Sequence, residues 1–238
     1  MSFLIAILTA HLVVVSAADV IKTPLTANML TANSTITQVT HKIYMKTITG
    51  RGHCSATAIG PYALLSASHC EEPTDRVMVD DSWHNIDHMV RDGYDHTIFY
   101  LADAIPFDQW ARVKVVVPEQ GSIVAMAGNP GMATSIYRDG TFAGEIDHVF
   151  QGEIYLFNFA SFIGDSGAGL FAEDGTLFAV ESLLVDLSDD ADHPFKMPGA
   201  YPLHFTDSQW ADALAFKPPL WVGPHSTADP TWLLPIPN

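Results

Sequence analysis

Apolar and polar positions along this chain alternate in short bursts, the spacing of strands rather than of helices. β-Branched and aromatic runs over 43–48, 53–59 and 62–66, punctuated by Gly50-Arg51-Gly52 and Gly60-Pro61, read as two hairpins' worth of strand. Further runs at 76–79, 97–101, 112–117, 122–127, 154–159, 169–172 and 177–184 recur at the spacing of all-β sandwiches or barrels, with no fixed internal repeat. One short helix is expected over 208–216. A break at Pro118-Glu119-Gln120-Gly121, midway along the folded part, favours two small barrels, one over 41–117 and one over 118–216.

The two ends read differently. An apolar run over 3–18 closes on Val15-Ser16-Ala17-Ala18, the small residues a signal peptidase needs, so 1–18 is read as a signal peptide. No Lys or Arg precedes it, which leaves an uncleaved membrane anchor or a buried N-terminal segment as alternatives. Residues 19–40, rich in Thr, Asn and Ala, read as an arm. The tail 217–238 carries six prolines, Trp221 and Trp232, and is expected to lie along a surface. The expected location is secreted, or membrane-associated on the outer side of a viral or bacterial membrane. In an exported eukaryotic chain Asn33-Ser34-Thr35 is a glycosylation acceptor.

Composition narrows the partners. Eleven Lys plus Arg against 27 Asp plus Glu give a formal charge of -16, a field that repels nucleic acid and anionic membranes. No nucleic-acid partner is expected, and any membrane contact would run through 3–18.

The chemistry centres on Gly164-Asp165-Ser166-Gly167-Ala168-Gly169, where a hydroxyl nucleophile sits among glycines that let main-chain N–H groups approach a ligand. A partner is His69, at the end of an apolar strand in Ser66-Ala67-Ser68-His69-Cys70, and a histidine held beside a disulfide is a positioned general base. Cys54 and Cys70 are expected to bridge in an exported chain and to be free thiols in a reducing compartment. Asp95, opening the strand His96-Thr97-Ile98-Phe99, is the chosen carboxylate behind the histidine, with Asp87, Asp92 and Asp103 as rivals.

These pieces together resemble the chymotrypsin-like (trypsin-like) serine peptidases. Ser66-Ala67-Ser68-His69-Cys70 is similar to Thr-Ala-Ala-His-Cys, Gly164-Asp165-Ser166-Gly167-Ala168 to Gly-Asp-Ser-Gly-Gly, and the order His, Asp, Ser agrees. Ala127-Gly128-Asn129-Pro130-Gly131, with Gly140 to Gly144, is similar to the opening of the second barrel in bacterial and viral members. The resemblance implies an all-β fold of two packed six-stranded antiparallel barrels with the active site between them. It also implies a serine endopeptidase acting on protein or peptide, an oxyanion hole from the N–H groups of Gly164 and Ser166, and no cofactor. An inactive homologue that binds peptides in the same cleft is the alternative.

Departures from the family are informative. No Arg-Ile-Val-Gly-Gly activation site is present, so Asp165 needs a partner other than a new N-terminus. By resemblance Ala160 and Ser161 fall at the pocket floor, Ser182 on the strand that pairs with substrate, and Leu184 at the pocket mouth. With no acid evident there, a neutral side chain is expected at the cleavage position. No metal site is expected. His84, Asp87, His88, Asp92 and His96 match no tetrahedral spacing and read as a polar loop. Asp186 to Asp192 lacks the glycine and closing glutamate of a calcium loop and reads as a solvated turn.

Overall fold

The computed structural model describes residues 35–219 apart from 48–49, 72–74, 103–105, 134, 149–151 and 189–194. The segment 1–18, most of the 19–40 arm, the rival Asp103 and nearly all of the 217–238 tail lie outside the described residues. Among the described residues no helix is long and apolar enough to cross a membrane.

Six strands close a barrel: β1 (Thr40–Thr47), β2 (Gly50–Gly60), β3 (Ala63–Ala67), β4 (Arg76–Val79), β5 (Ser82–Arg91) and β6 (His96–Leu101). They run in the spatial order β1-β2-β3-β6-β5-β4. Seven more follow: β7 (Ile123–Gly128), β8 (Ile136–His148), β9 (Gly152–Asn158), β10 (Gly169–Ala172), β11 (Leu177–Val180), β12 (Leu183–Asp186) and β13 (Lys196–Ala200). These form one antiparallel sheet curled into a half-barrel, ordered β11-β10-β7-β8-β9-β13-β12, the second of the two expected barrels. The sheet comes round on itself at a single bridge, Ala179 with Pro202, and proline has no N–H with which to extend a ladder there.

The core explains why some strands are legible as unbroken apolar runs. One cluster fills the barrel (Ile43, Leu64, Val77, Phe99, Leu101) and a second lines the sheet (Met126, Phe142, Phe157, Leu170, Phe178). A third lies between the two units, joining Leu65, Ile98 and Tyr100 to Ala125, Phe171 and Val180. Every residue of β3 and β6 is therefore buried, one face in the barrel and the other against the sheet. The helix α1 (Asp207–Ala215) starts on a capping box of Thr206 and Gln209 and seats Ala213 in the shared cluster.

Three sequence expectations change. Residues 112–117 form no strand; they are a connection held along β11, where Leu177 N–H donates to Arg112 O (2.9 Å) and Lys114 N–H to Leu177 O (2.9 Å). The stretch expected as a polar loop is largely β5. It is a strand of the closed barrel that packs Ile86 and Met89 on the barrel core and leaves Ser82, Asp87, His88 and Arg91 exposed, so no clean apolar alternation marks it. The run 177–184 is two strands, not one. The chain breaks at Glu181-Ser182 and passes from β11 at one edge of the sheet to β12 at the other.

Phe157 is wholly buried amid Phe142, Phe159 and Phe178, with ring centroids 5.7–6.1 Å away. Phe157→Ala is expected to lower unfolding free energy by about 3–5 kcal/mol, read by urea denaturation.

Candidate active site

Strand register sets the first contact. β3 and β6 pair Ala67 with His96, so the turn Ser68–Cys70 that follows β3 meets Asp95, which precedes β6. Ser68 N–H donates to Asp95 O (2.9 Å), and the Asp95 carboxylate then spans the turn. Its Oδ1 accepts the His69 backbone N–H (2.9 Å) and its Oδ2 lies 2.7 Å from His69 Nδ1. The rivals are engaged elsewhere, Asp87 with His88 (2.7 Å) and Asp92 with the buried His96 (2.6 Å). The hydrogen bond that the His69 ring gives to Asp95 raises the His69 pKa, partial burial opposes it, and the fields of Asp95 and Glu181 add to the rise.

A covalent link ties this turn to β2. Cys54 and Cys70 are bridged, with Cα atoms 6.2 Å apart. The next residue on β2, Ser55, reaches the Ser166 loop: its N–H donates to Ser166 O (2.8 Å) and its hydroxyl to Gly164 O (2.8 Å). Cys70 Sγ lies 3.7 Å from the same Ser166 carbonyl. His69 and Ser166, 97 residues apart by numbering, thus flank one short structure of disulfide, Ser55 and loop.

The loop itself needs glycine. Gly164 has φ +104° and Gly167 φ +87°, a region that side chains with a Cβ rarely enter. A Cβ on Gly164 would also lie 2.6 Å from Asn129 O. Two bonds fix the peptide planes around Gly164. Gly131 N–H holds Ile163 O (2.9 Å), and Ser55 Oγ holds Gly164 O. Because a trans peptide points C=O and N–H in opposite directions, anchoring Ile163 O directs the Gly164 N–H away from Gly131.

Asp165 finds its partner in Arg138 of β8. The guanidinium donates through Nη1 (2.6 Å) and Nη2 (2.5 Å) to the two carboxylate oxygens, and Phe162 N–H donates to Oδ2 (2.8 Å). Asp165 is fully buried. The absence of a side chain on Gly128 leaves the room that Asp165 and Arg138 fill.

The pocket residues named from the sequence are dispersed around this core. Ala160 accepts a bond from Arg138 through its carbonyl (3.2 Å), Ser182 is buried with its hydroxyl on Val180 O (3.2 Å), and Leu184 stands exposed on β12. Ser161 brings a correction. Its hydroxyl donates to Glu181 Oε1 (2.8 Å), so an acid does stand at this wall. Glu181 is 3% exposed, and its Oε2 is buried without a partner among the described residues. Burial pushes its pKa up to about 8, Asp165 pushes the same way, and Ser161, His69 and Arg138 pull against them. Glu181 escaped the sequence reading because it sat inside a run taken as one strand; a lone acid within apolar 177–184 was the available signal.

Among the described residues the group able to gather metal-ligating atoms is Cys54, His69 and Cys70, and a disulfide already consumes its two sulfurs. Asp186 Oδ1 is taken by the Ser188 N–H and hydroxyl.

The chain has a chymotrypsin-like double-barrel fold. It is similar to the active form of the Rv3671c protease of M. tuberculosis, with TM-score 0.61 and 15% identity over 79% of this chain and 86% of that one. It is also similar to the serine endoprotease from Yersinia pestis, with TM-score 0.56 and 15% identity over 74% of this chain and 62% of that one. An inactive form of Rv3671c gives TM-score 0.56 at 16% identity, over 78% of this chain and 91% of that one. No family profile matches the sequence, and no curated protein does. The likeness to this fold is carried by shape.

Arg138→Leu removes the counter-charge of a buried carboxylate and is expected to destabilise the protein by about 3–5 kcal/mol at neutral pH, seen in chemical denaturation. Glu181 bears on stability with the opposite sign from a paired acid. Its raised pKa means the folded state holds a proton that the unfolded state has lost, so stability falls as pH rises from the ordinary carboxylate range through about 8. Glu181→Gln is expected to flatten that fall in a melting-temperature series from pH 5 to pH 9.

Proposed function

We propose that this protein is a serine endopeptidase that hydrolyses peptide bonds through Ser166, His69 and Asp95 by way of an acyl-enzyme. The observation that carries the reading is the His69–Asp95 pair, 2.7 Å at Nδ1, in a turn stapled to the strand whose Ser55 holds the Ser166 carbonyl. A carboxylate on Nδ1 fixes the tautomer with its proton there and leaves the Nε2 lone pair for the serine hydroxyl. His69 takes the hydroxyl proton as Ser166 attacks the carbonyl carbon, Asp95 stabilises the imidazolium, and the proton passes to the leaving amine. Water, activated by the same imidazole, then releases the acyl group.

The N–H groups of Gly164 and Ser166 are the oxyanion donors in this reading. Support comes from the two bonds that hold the Gly164 peptides and from the glycine-only backbone there. Protein or peptide is the substrate, and the exported setting fits the disulfide. The expectation of a neutral side chain at the cleavage position rested on a pocket free of acid, and Glu181 against Ser161 removes that premise.

Labelling with a fluorophosphonate probe tests the reading. Wild type is expected to react, while Ser166→Ala and His69→Ala are not; absence of Ser166-dependent labelling would overturn it in favour of a peptide-binding homologue. Asp95→Asn is expected to lower kcat by about 10⁴-fold through the wrong tautomer. Since His69 must be neutral to act and its pKa is raised, kcat/KM is expected to climb through a midpoint above the ordinary histidine value.

A further inference from the structure

We propose that Ser55 and Asn129 are positioning residues for the reaction, two buried side chains that hold the oxyanion donors in place before substrate arrives. The assignment rests on the serine-peptidase reading of Ser166.

The direction of each peptide comes first. Of the backbone N–H groups from Gly164 to Gly167, two are spent inside the protein: Asp165 N–H donates to Phe162 O (3.0 Å) and Gly167 N–H to Glu181 O (2.8 Å). The N–H groups of Gly164 and Ser166, the two assigned to the oxyanion, donate to none of the described residues. Each is aimed from the opposite side of its own peptide plane, because a trans peptide points C=O and N–H in opposite directions. Gly131 N–H holds Ile163 O (2.9 Å) and so directs the Gly164 N–H, while Ala168 N–H holds Asp165 O (2.8 Å) and directs that of Ser166.

The peptide between these two needs its own restraint. It follows Gly164, which is buried at φ +104° and, lacking a Cβ, turns easily about its backbone. Ser55 supplies the restraint, its hydroxyl donating to Gly164 O (2.8 Å). A hydroxyl has one proton to give and two lone pairs with which to accept. Asn129 fills both lone pairs, through its backbone N–H (2.9 Å) and its side-chain Nδ2 (3.1 Å). The proton then has one direction left, toward Gly164 O. Ser55 is fully buried and Asn129 is 2% exposed, so bulk water does not compete for these bonds.

Asn129 and Gly131 belong to the same turn after β7. That turn fixes both peptides flanking Gly164, one directly and the other through Ser55. Without the Ser55 proton, Gly164 O becomes a buried acceptor with no donor at a residue free to rotate, and the Gly164 and Ser166 N–H groups lose their common aim. Both side chains act through Gly164 rather than on the substrate. Their contribution is a pair of donors that needs no rearrangement when negative charge develops.

Labelling kinetics test the assignment. The second-order rate of fluorophosphonate labelling is measured against pH for wild type, Ser55→Ala, Ser55→Thr and Asn129→Ala, with circular dichroism confirming each fold. The phosphonyl oxygen takes the oxyanion position and His69 sets the pH midpoint, so the two contributions are read separately. Ser55→Ala is expected to lower the plateau rate by about 100-fold, near the lower end for loss of an oxyanion donor, with the midpoint unmoved. Ser55→Thr keeps the hydroxyl and is expected to recover most of the rate. Asn129→Ala keeps the backbone N–H but not the amide, and is expected to lose about 10-fold. With p-nitrophenyl acetate as substrate, the slowed variants are expected to lose kcat and keep KM. An unchanged plateau in folded Ser55→Ala, a shifted midpoint, or no recovery in Ser55→Thr would overturn the assignment while Ser166 labelling stands. Where Ser55→Ala does not fold, Asn129→Ala decides, and labelling at the wild-type rate overturns the assignment. A wild type that never labels sinks the catalytic reading itself, and the assignment with it.

Discussion

Ser55 is the point on which the two halves of the molecule agree. It is fully buried, and nearly every polar atom it owns is committed: N–H to Ser166 O, carbonyl to the Ser66 hydroxyl, and Oγ to Gly164 O while accepting from the Asn129 N–H and side-chain amide. One residue of β2 thereby sets where the Ser166 loop sits relative to the barrel that carries His69 and Asp95. The disulfide one residue earlier fixes the histidine turn to the same strand. The unit resists piecemeal change, because removing the hydroxyl leaves several buried donors and acceptors open at once.

Two buried acids near this hub are treated differently by the fold. Asp165 is closed off completely, with two guanidinium bonds and a backbone N–H. Glu181, near enough for Asp165 to raise its pKa, receives one hydroxyl and is otherwise left open. Buried carboxylates are normally either paired or neutral, and this pair shows one of each. The first holds the loop in shape whatever is bound. The second keeps one carboxyl oxygen buried without a partner among the described residues.

Much of this was legible in the sequence where a residue's role followed from its type. Glycines at Gly164 and Gly167 and the histidine beside Cys70 advertise themselves, while Asp95 meets His69 because it directly precedes β6 and Asp92, three residues earlier, meets His96. The barrel strands with both faces buried, β3 and β6, were equally plain. What was hidden depended on who meets whom. β5 looked like a loop because exposed polar residues interrupt its apolar positions, and 112–117 looked like a strand because its β-branched run sits in a connection that leaves Val115, Val116 and Val117 exposed. Ser55, Arg138 and Glu181 are an ordinary serine, arginine and glutamate until distant segments are folded onto them. The two-barrel plan was also legible, and what the count of strands did not reveal is that the second unit curls into a half-barrel.

The Arg138–Asp165 pair carries an implication for how the protein can be governed. Where a liberated chain end supplies the positive charge behind the nucleophile loop, cutting the chain is the switch. Here the charge is a side chain on β8, present from the moment the sheet forms. The loop has no electrostatic need of a free terminus, and an extension at the front of the polypeptide takes nothing away from Asp165. The shape of the loop around Ser166 is then set by the fold of the sheet and by a side chain within it.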